Sequence, residues 1–305
     1  MTLRQRITTS TLLLPFAVLL AAVVWCAEDY SDVRLWAGLG LCLLTTFGLM
    51  ELNNRNTLLR VRSRMVSTTF LLVVTAMPFL HAAGWYWLSP LCLVGAFALL
   101  FASYQKIRPE GEVFHAFLLL SVASFRLPLM LGLVPLFYAS MLFSLRSLTW
   151  RSFFAGIFGL LLPYLFYALW CAYEGTLPHA FDFIVQCRPT LPRLSDWPLR
   201  KMVNVGFLGL QIFLGLLHYY RTNFNDKIRV RMVYYTIVLQ LLALLGAFVF
   251  FPQFDVDLFL LLLAASSVLI AHYWTLARGG AAMSAWFVFN ILLLVALGVV
   301  NTIFL

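Results

Sequence analysis

The chain has 305 residues, 63% of them hydrophobic and 11% charged, with a formal net charge of +9. Soluble domains carry roughly 25% charged residues, so this composition excludes a water-soluble globular protein. The absence of period-two alternation excludes a transmembrane β-barrel. The expected fold class is all-α, a polytopic transmembrane helical bundle forming one integral membrane domain over residues 1–305 with no separate soluble domain.

Apolar runs of about 20 residues, the length that crosses about 30 Å of hydrocarbon as helix, recur from end to end. The opening MTLRQRITTSTLLLPFAVLLAAVVWCAEDY has the basic front and apolar middle of a signal peptide. No small-x-small cleavage site precedes Glu28, so an uncleaved first span over residues 9–27 is expected. Spans at 34–50, 65–83 and 87–104 follow.

Residues 115–143 read HAFLLLSVASFRLPLMLGLVPLFYASMLF, nearly all apolar with one arginine, Arg126. As straight helix this run would cover about 44 Å, too long for one span and too short for two complete ones. Pro128 removes an amide donor and restricts Leu127, which predicts a helix end near Arg126-Leu127-Pro128 and a pair of half-length helices. Spans at 152–173, 202–220, 232–251, 257–275 and 283–304 complete a count of about eleven. The one long external segment, 174–201, holds four prolines and mixed charges.

With the hairpin broken there, fifteen of the 21 Lys and Arg fall on the side of the N-terminus, clustered around Arg4, Arg60, Arg108, Arg146, Arg229 and Arg278. The acids sort the other way, Asp255 and Asp257 with the external ones. Positive residues favour the cytoplasm, so the reading is a multi-pass protein of a bacterial inner (cytoplasmic) membrane with its N-terminus cytoplasmic. The basic excess is thereby topogenic, and a nucleic-acid partner is not expected.

No G-x-x-x-x-G-K-[ST] motif occurs, the five histidines never fall at metal-ligand spacing, and the five cysteines are scattered; no metal site and no cofactor is expected. No acid lies at mid-span, which disfavours proton-coupled transport. The segments LLRVRSRMVSTTFLL at 58–72 and IRVRMVYYTIVLQLL at 228–242 hint at an internal repeat, although basic clusters at cytoplasmic span starts also arise from topology alone.

A guanidinium at bilayer depth costs roughly 2.5–3.5 kcal/mol on insertion scales, so Arg126 needs a partner, a wet cavity or a ligand. The external polar set is Glu28, Asp29 and Asp32 after the first span, Arg126 at the break, and His179, Asp182, Arg188 and Arg193 in the long segment. As a site, Glu28, Asp29 or Asp32 would activate an acceptor hydroxyl, while Arg126, His179, Asp182, Arg188 and Arg193 would bind substrate, the arginines holding its phosphate. The plain alternative is a structural ion pair for Arg126 and solvated loop charges for the rest.

The run VASFRLPLMLGLVPLFYASMLFSLRSLTWRSFFAGIFGLLLPYLFYALW, residues 122–170, resembles the middle of GT-C-type membrane glycosyltransferases: a short helix pair, a basic turn, then a span containing Pro163. That resemblance implies an extracytoplasmic active site, a polyprenyl-phosphate-linked sugar and a carboxylate in the first external loop, supplied here by Glu28, Asp29 or Asp32; in this chain that loop is short. The whole chain is also similar to a family of polytopic inner-membrane proteins from bacteroidete bacteria that carries no assigned activity. Three functions stay open: GT-C-like handling of a lipid-linked saccharide, a non-catalytic scaffold or assembly partner, and a lipid or small-solute transporter or flippase. Membrane lipid is the expected partner in each.

Overall fold

The structure, a computed structural model, describes residues 3–27, 32–176, 182, 187–190 and 197–303. It is all-helical, 83% helix, with no strand among the described residues. Among the described residues, seven helical segments are long and apolar enough to cross a membrane: Val33–Asn56, Gly84–Ala102, Trp150–Tyr173, Leu199–Asn225, Ile228–Phe250, Pro252–Leu276 and Ala281–Ile303. They match seven of the runs expected from sequence.

The other expected spans take different forms. Helices α1 (Leu3–Thr9) and α2 (Leu13–Cys26) bend by 77° at their junction; counted as one span they make eight. The run at 65–83 holds only α4 (Met65–Thr75), followed by 3-10 structure at Pro78–Trp87 that kinks at Gly84, where φ is +52°. The hairpin consists of α6 (Glu110–Ser124), a 3-10 turn at Pro128–Leu133 and α7 (Val134–Phe143). The suggested repeat has no counterpart in helix length: α4 has 11 residues, whereas α10 (Ile228–Phe250) has 23.

By internal contacts the chain divides into two units. The first comprises Met1–Trp87, Arg193–Lys227 and Leu262–Leu305; besides α1, α2 and α4 it holds α3 (Val33–Asn56), α9 (Leu199–Thr222), α12 (Ala281–Ile303) and the later part of α11 (Asp255–Leu276). Several of its buried polar side chains are joined in pairs by hydrogen bonds. Asn204 and Asn301 exchange side-chain hydrogen bonds at 2.9 and 3.0 Å, and Asn301 also donates to the Ala76 carbonyl. Gln211 donates to Asn290 at 2.6 Å and accepts from the Trp274 indole at 3.2 Å. Arg4, almost wholly buried, donates to the carbonyls of Trp274 and Ala277. A cation there satisfies open acceptors at the helix C-terminus and complements its dipole.

The second unit comprises Leu88–Pro192 and Ile228–Leu261: α5 (Leu88–Ala102), α6, α7, α8 (Trp150–Tyr173), α10 and the first turns of α11. Helix α8 starts on a capping box in which Thr149 accepts from the Ser152 amide and Ser152 accepts from the Thr149 amide. Helices α6 and α8 meet backbone to backbone, because Gly159 faces Phe114: a Cβ on Gly159 would sit 2.2 Å from the Phe114 carbonyl oxygen. Pro163 interrupts the bonding of α8, and the Ser121 hydroxyl of α6 donates at 2.7 Å to the Leu160 carbonyl one turn before it. Ser124 shares a 2.5 Å hydrogen bond with the Tyr164 hydroxyl. This contact fixes the end of α6 and, two residues on, the backbone of Arg126.

Candidate functional site

Leu127 closes the α6 helix by donating its amide to the Ala123 carbonyl at 2.9 Å, then adopts the extended backbone (φ −126°, ψ 93°) that the following proline requires. The chain breaks where sequence chemistry predicts. Arg126 Nη2 lies 3.7 Å from Asp257 Oδ2, with the arginine side chain 38% exposed and the aspartate 2%. Asp257 sits in the first turn of α11 among apolar neighbours, and its Oδ1 is buried with no hydrogen-bond partner among the described residues.

The second unit also holds an apolar cavity of about 290 Å³. Leu127 and Leu258, the residues that follow Arg126 and Asp257, both line it, together with Met130, Leu133, Leu244 and Phe251. A cavity with an apolar lining suits the hydrocarbon part of a small amphiphile.

Asp257, grouped by sequence with solvated external acids, is buried and is the carboxylate nearest Arg126 that an ion pair identifies. The signal was a first-turn acid on an apolar helix; which guanidinium it meets is a matter of packing. Asp32 has a local role: it is the N-cap of α3, and its Oδ1 accepts from the Arg34 amide at 2.8 Å. Asp32 belongs to the first unit and Arg126 to the second. Asp182 is exposed. Arg188 is also exposed, and its carbonyl accepts from Gln253 Nε2 at 2.9 Å, while the amide of Thr190 donates to the Phe250 carbonyl at 2.8 Å. These bonds tie residues 188–190 to the end of α10 and the α10–α11 turn. Glu28, Asp29, His179 and Arg193 lie outside the described residues.

A second charged cluster lies in the first unit. Arg60 Nε donates to Asp226 Oδ1 at 2.5 Å and its Nη2 to the Thr222 carbonyl at 2.9 Å; the other oxygen of Asp226 is 3.5 Å from His272 Nε2. Burial raises the Asp226 carboxyl, but His272 and Arg60 outweigh it and hold the group below the ordinary carboxylate range. A depressed native value means that Asp226 stabilises the fold above its unfolded value of about 3.9 and loses that contribution as pH falls below it. Melting temperature in detergent is therefore expected to drop on acidification through about pH 4, and to drop less in Asp226→Asn. An equal acid loss in both proteins would assign the effect to other carboxylates.

No family model, curated protein or solved structure matches the chain, so the Arg126–Asp257 site stands on its own geometry and on the multi-pass helical architecture that carries it.

Proposed function

We propose that this membrane protein binds the phosphate of a lipid-linked molecule at Arg126, with part of the lipid chain in the neighbouring apolar cavity, and that the molecule is a polyprenyl-phosphate-linked saccharide handled in the manner of a GT-C-type glycosyltransferase. One observation carries the reading: a part-exposed guanidinium stands 3.7 Å from a buried carboxylate, and the residues next to the two in the chain, Leu127 and Leu258, line a 290 Å³ apolar cavity. A planar guanidinium carries five N–H donors and is suited to bind phosphate oxygens in bidentate geometry. The same reading needs a carboxylate to accept the proton of an acceptor hydroxyl. Asp257 serves that need better than the acids of the first loop, since it is already beside Arg126 and its Oδ1 has no hydrogen-bond partner. By the distribution of basic residues, the hairpin tip faces the outer half of a bacterial inner membrane whose cytoplasmic side holds the N-terminus.

Native mass spectrometry of the full chain released from nanodiscs containing polyprenyl phosphate tests the proposal. Wild type is expected to retain one polyprenyl phosphate, and the Arg126→Leu, Asp257→Leu double variant to retain at least about tenfold less, the equivalent of one charged hydrogen bond of about 1.5 kcal/mol or more. Equal retention by both proteins would refute it.

A further inference from the structure

The Asp226 cluster extends into a pair of histidines. Helices α9 and α11 approach closely at Gly215, where a Cβ would lie 3.1 Å from the carbonyl carbon and oxygen of Leu269. One turn beyond each contact residue stand His218 and His272, and their Nδ1 atoms are 3.3 Å apart. His272 is fully buried and His218 half-buried. The turn that follows α9 brings Asp226 to the opposite edge of the His272 ring, and Arg60 from the segment between α3 and α4 anchors the carboxylate. The remaining groups facing the pair are Arg4 of α1, a charge that acts on His218, the Tyr219 ring against His272 and the Tyr273 ring against His218.

Hydrogen-bond accounting orients the two rings. Asp226 Oδ2 faces His272 Nε2 at 3.5 Å, an ion-pair distance, and a carboxylate there favours the tautomer with hydrogen on Nε2. Neutral His272 then has a bare Nδ1, which accepts from the Nδ1–H of His218. His218 is left with a lone pair on Nε2, an atom that is buried and has no hydrogen-bond partner among the described residues. The pair thus offers one basic nitrogen at one end and a fixed counter-charge at the other.

We infer that His218 and His272 form a binding site for a single proton, with Asp226 as its counter-ion. A proton delivered by water forms an N–H bond at His218 Nε2. The hydrogen on His218 Nδ1 passes to His272 Nδ1, reversing the bond between the rings. The positive charge then rests on His272, beside the Asp226 carboxylate, and one proton has been added overall. No acid at mid-span is needed for such uptake; the histidines at the ends of two spans supply it.

Imidazole ¹⁵N NMR of the full chain in nanodiscs, recorded from about pH 3 to about pH 9, tests the site. At the alkaline end Nε2–H on His272 and Nδ1–H on His218 are expected, and on acidification the two rings should share one titration step. Asp226→Asn should exchange the tautomers: Arg60 requires the amide oxygen, so the amide nitrogen faces His272 and donates to its Nε2. It should also move the shared midpoint down by about one pH unit or more, the coupling expected of interacting sites. The opposite tautomers in wild type, which needs no variant, would overturn the inference. So would two independent steps, or unchanged tautomers in a folded Asp226→Asn protein. The site shares no residue with the proposed lipid site, and neither result bears on the other.

Discussion

Asp257→Leu is expected to destabilise the protein by about 3 kcal/mol, while the double variant Arg126→Leu, Asp257→Leu should lie within about 1 kcal/mol of wild type. Removing one member of a buried pair strands the other charge, at a cost of about 3–5 kcal/mol; the lower end applies because Arg126 retains contact with its surroundings at 38% exposure. Replacing both members by apolar residues removes the charge and its desolvation together. Reversible unfolding in mixed micelles measures the full cycle. A double variant as unstable as the single one would mean that the two side chains do not act as a pair. A double variant that is stable yet has lost polyprenyl phosphate would separate a binding role for Arg126 from a structural one.

Gly159→Ala should weaken the fold by about 1–3 kcal/mol or more, the range for overpacking a tight contact. The added methyl would meet the backbone oxygen of Phe114 at 2.2 Å, and backbone cannot rotate aside as a side chain can. Separating α6 from α8 would also stretch the Ser121–Leu160 and Ser124–Tyr164 bonds that hold the approach to Arg126. Lipid retention should therefore fall along with stability. Gly209→Ala is the matched control, since nothing lies within 4 Å of its would-be Cβ and alanine favours helix by up to about 1 kcal/mol. Equal melting behaviour of the two variants would show that the α6–α8 crossing tolerates more separation than the backbone contact implies.

Much of this architecture follows from local chemistry. Seven long apolar helices stand where hydropathy placed them, and the hairpin breaks at Leu127-Pro128 because a proline restricts its predecessor wherever it occurs. Arg126 is conspicuous in the chain for the same local reason: a charge at that depth demands compensation. Hydropathy does not see backbone conformation, however. The run at 65–83 is mostly apolar, yet regular helix ends at Thr75 before Pro78 and the left-handed Gly84 follows, and the first run, occupied by α2, is met by α1 at 77°.

Composition, periodicity and proline placement therefore determined that the chain is all-helical, with several apolar helices long enough to cross a membrane and a broken hairpin, because each rests on interactions within a few residues. Only tertiary packing decided which charges meet. Asp257 finds Arg126, and His272 joins His218 and Asp226, through helices far apart in the chain. Such partners are chosen by how closely two backbones approach, as at Gly159 and Gly215, and a carboxylate or imidazole looks the same in sequence whether it faces water or a buried guanidinium.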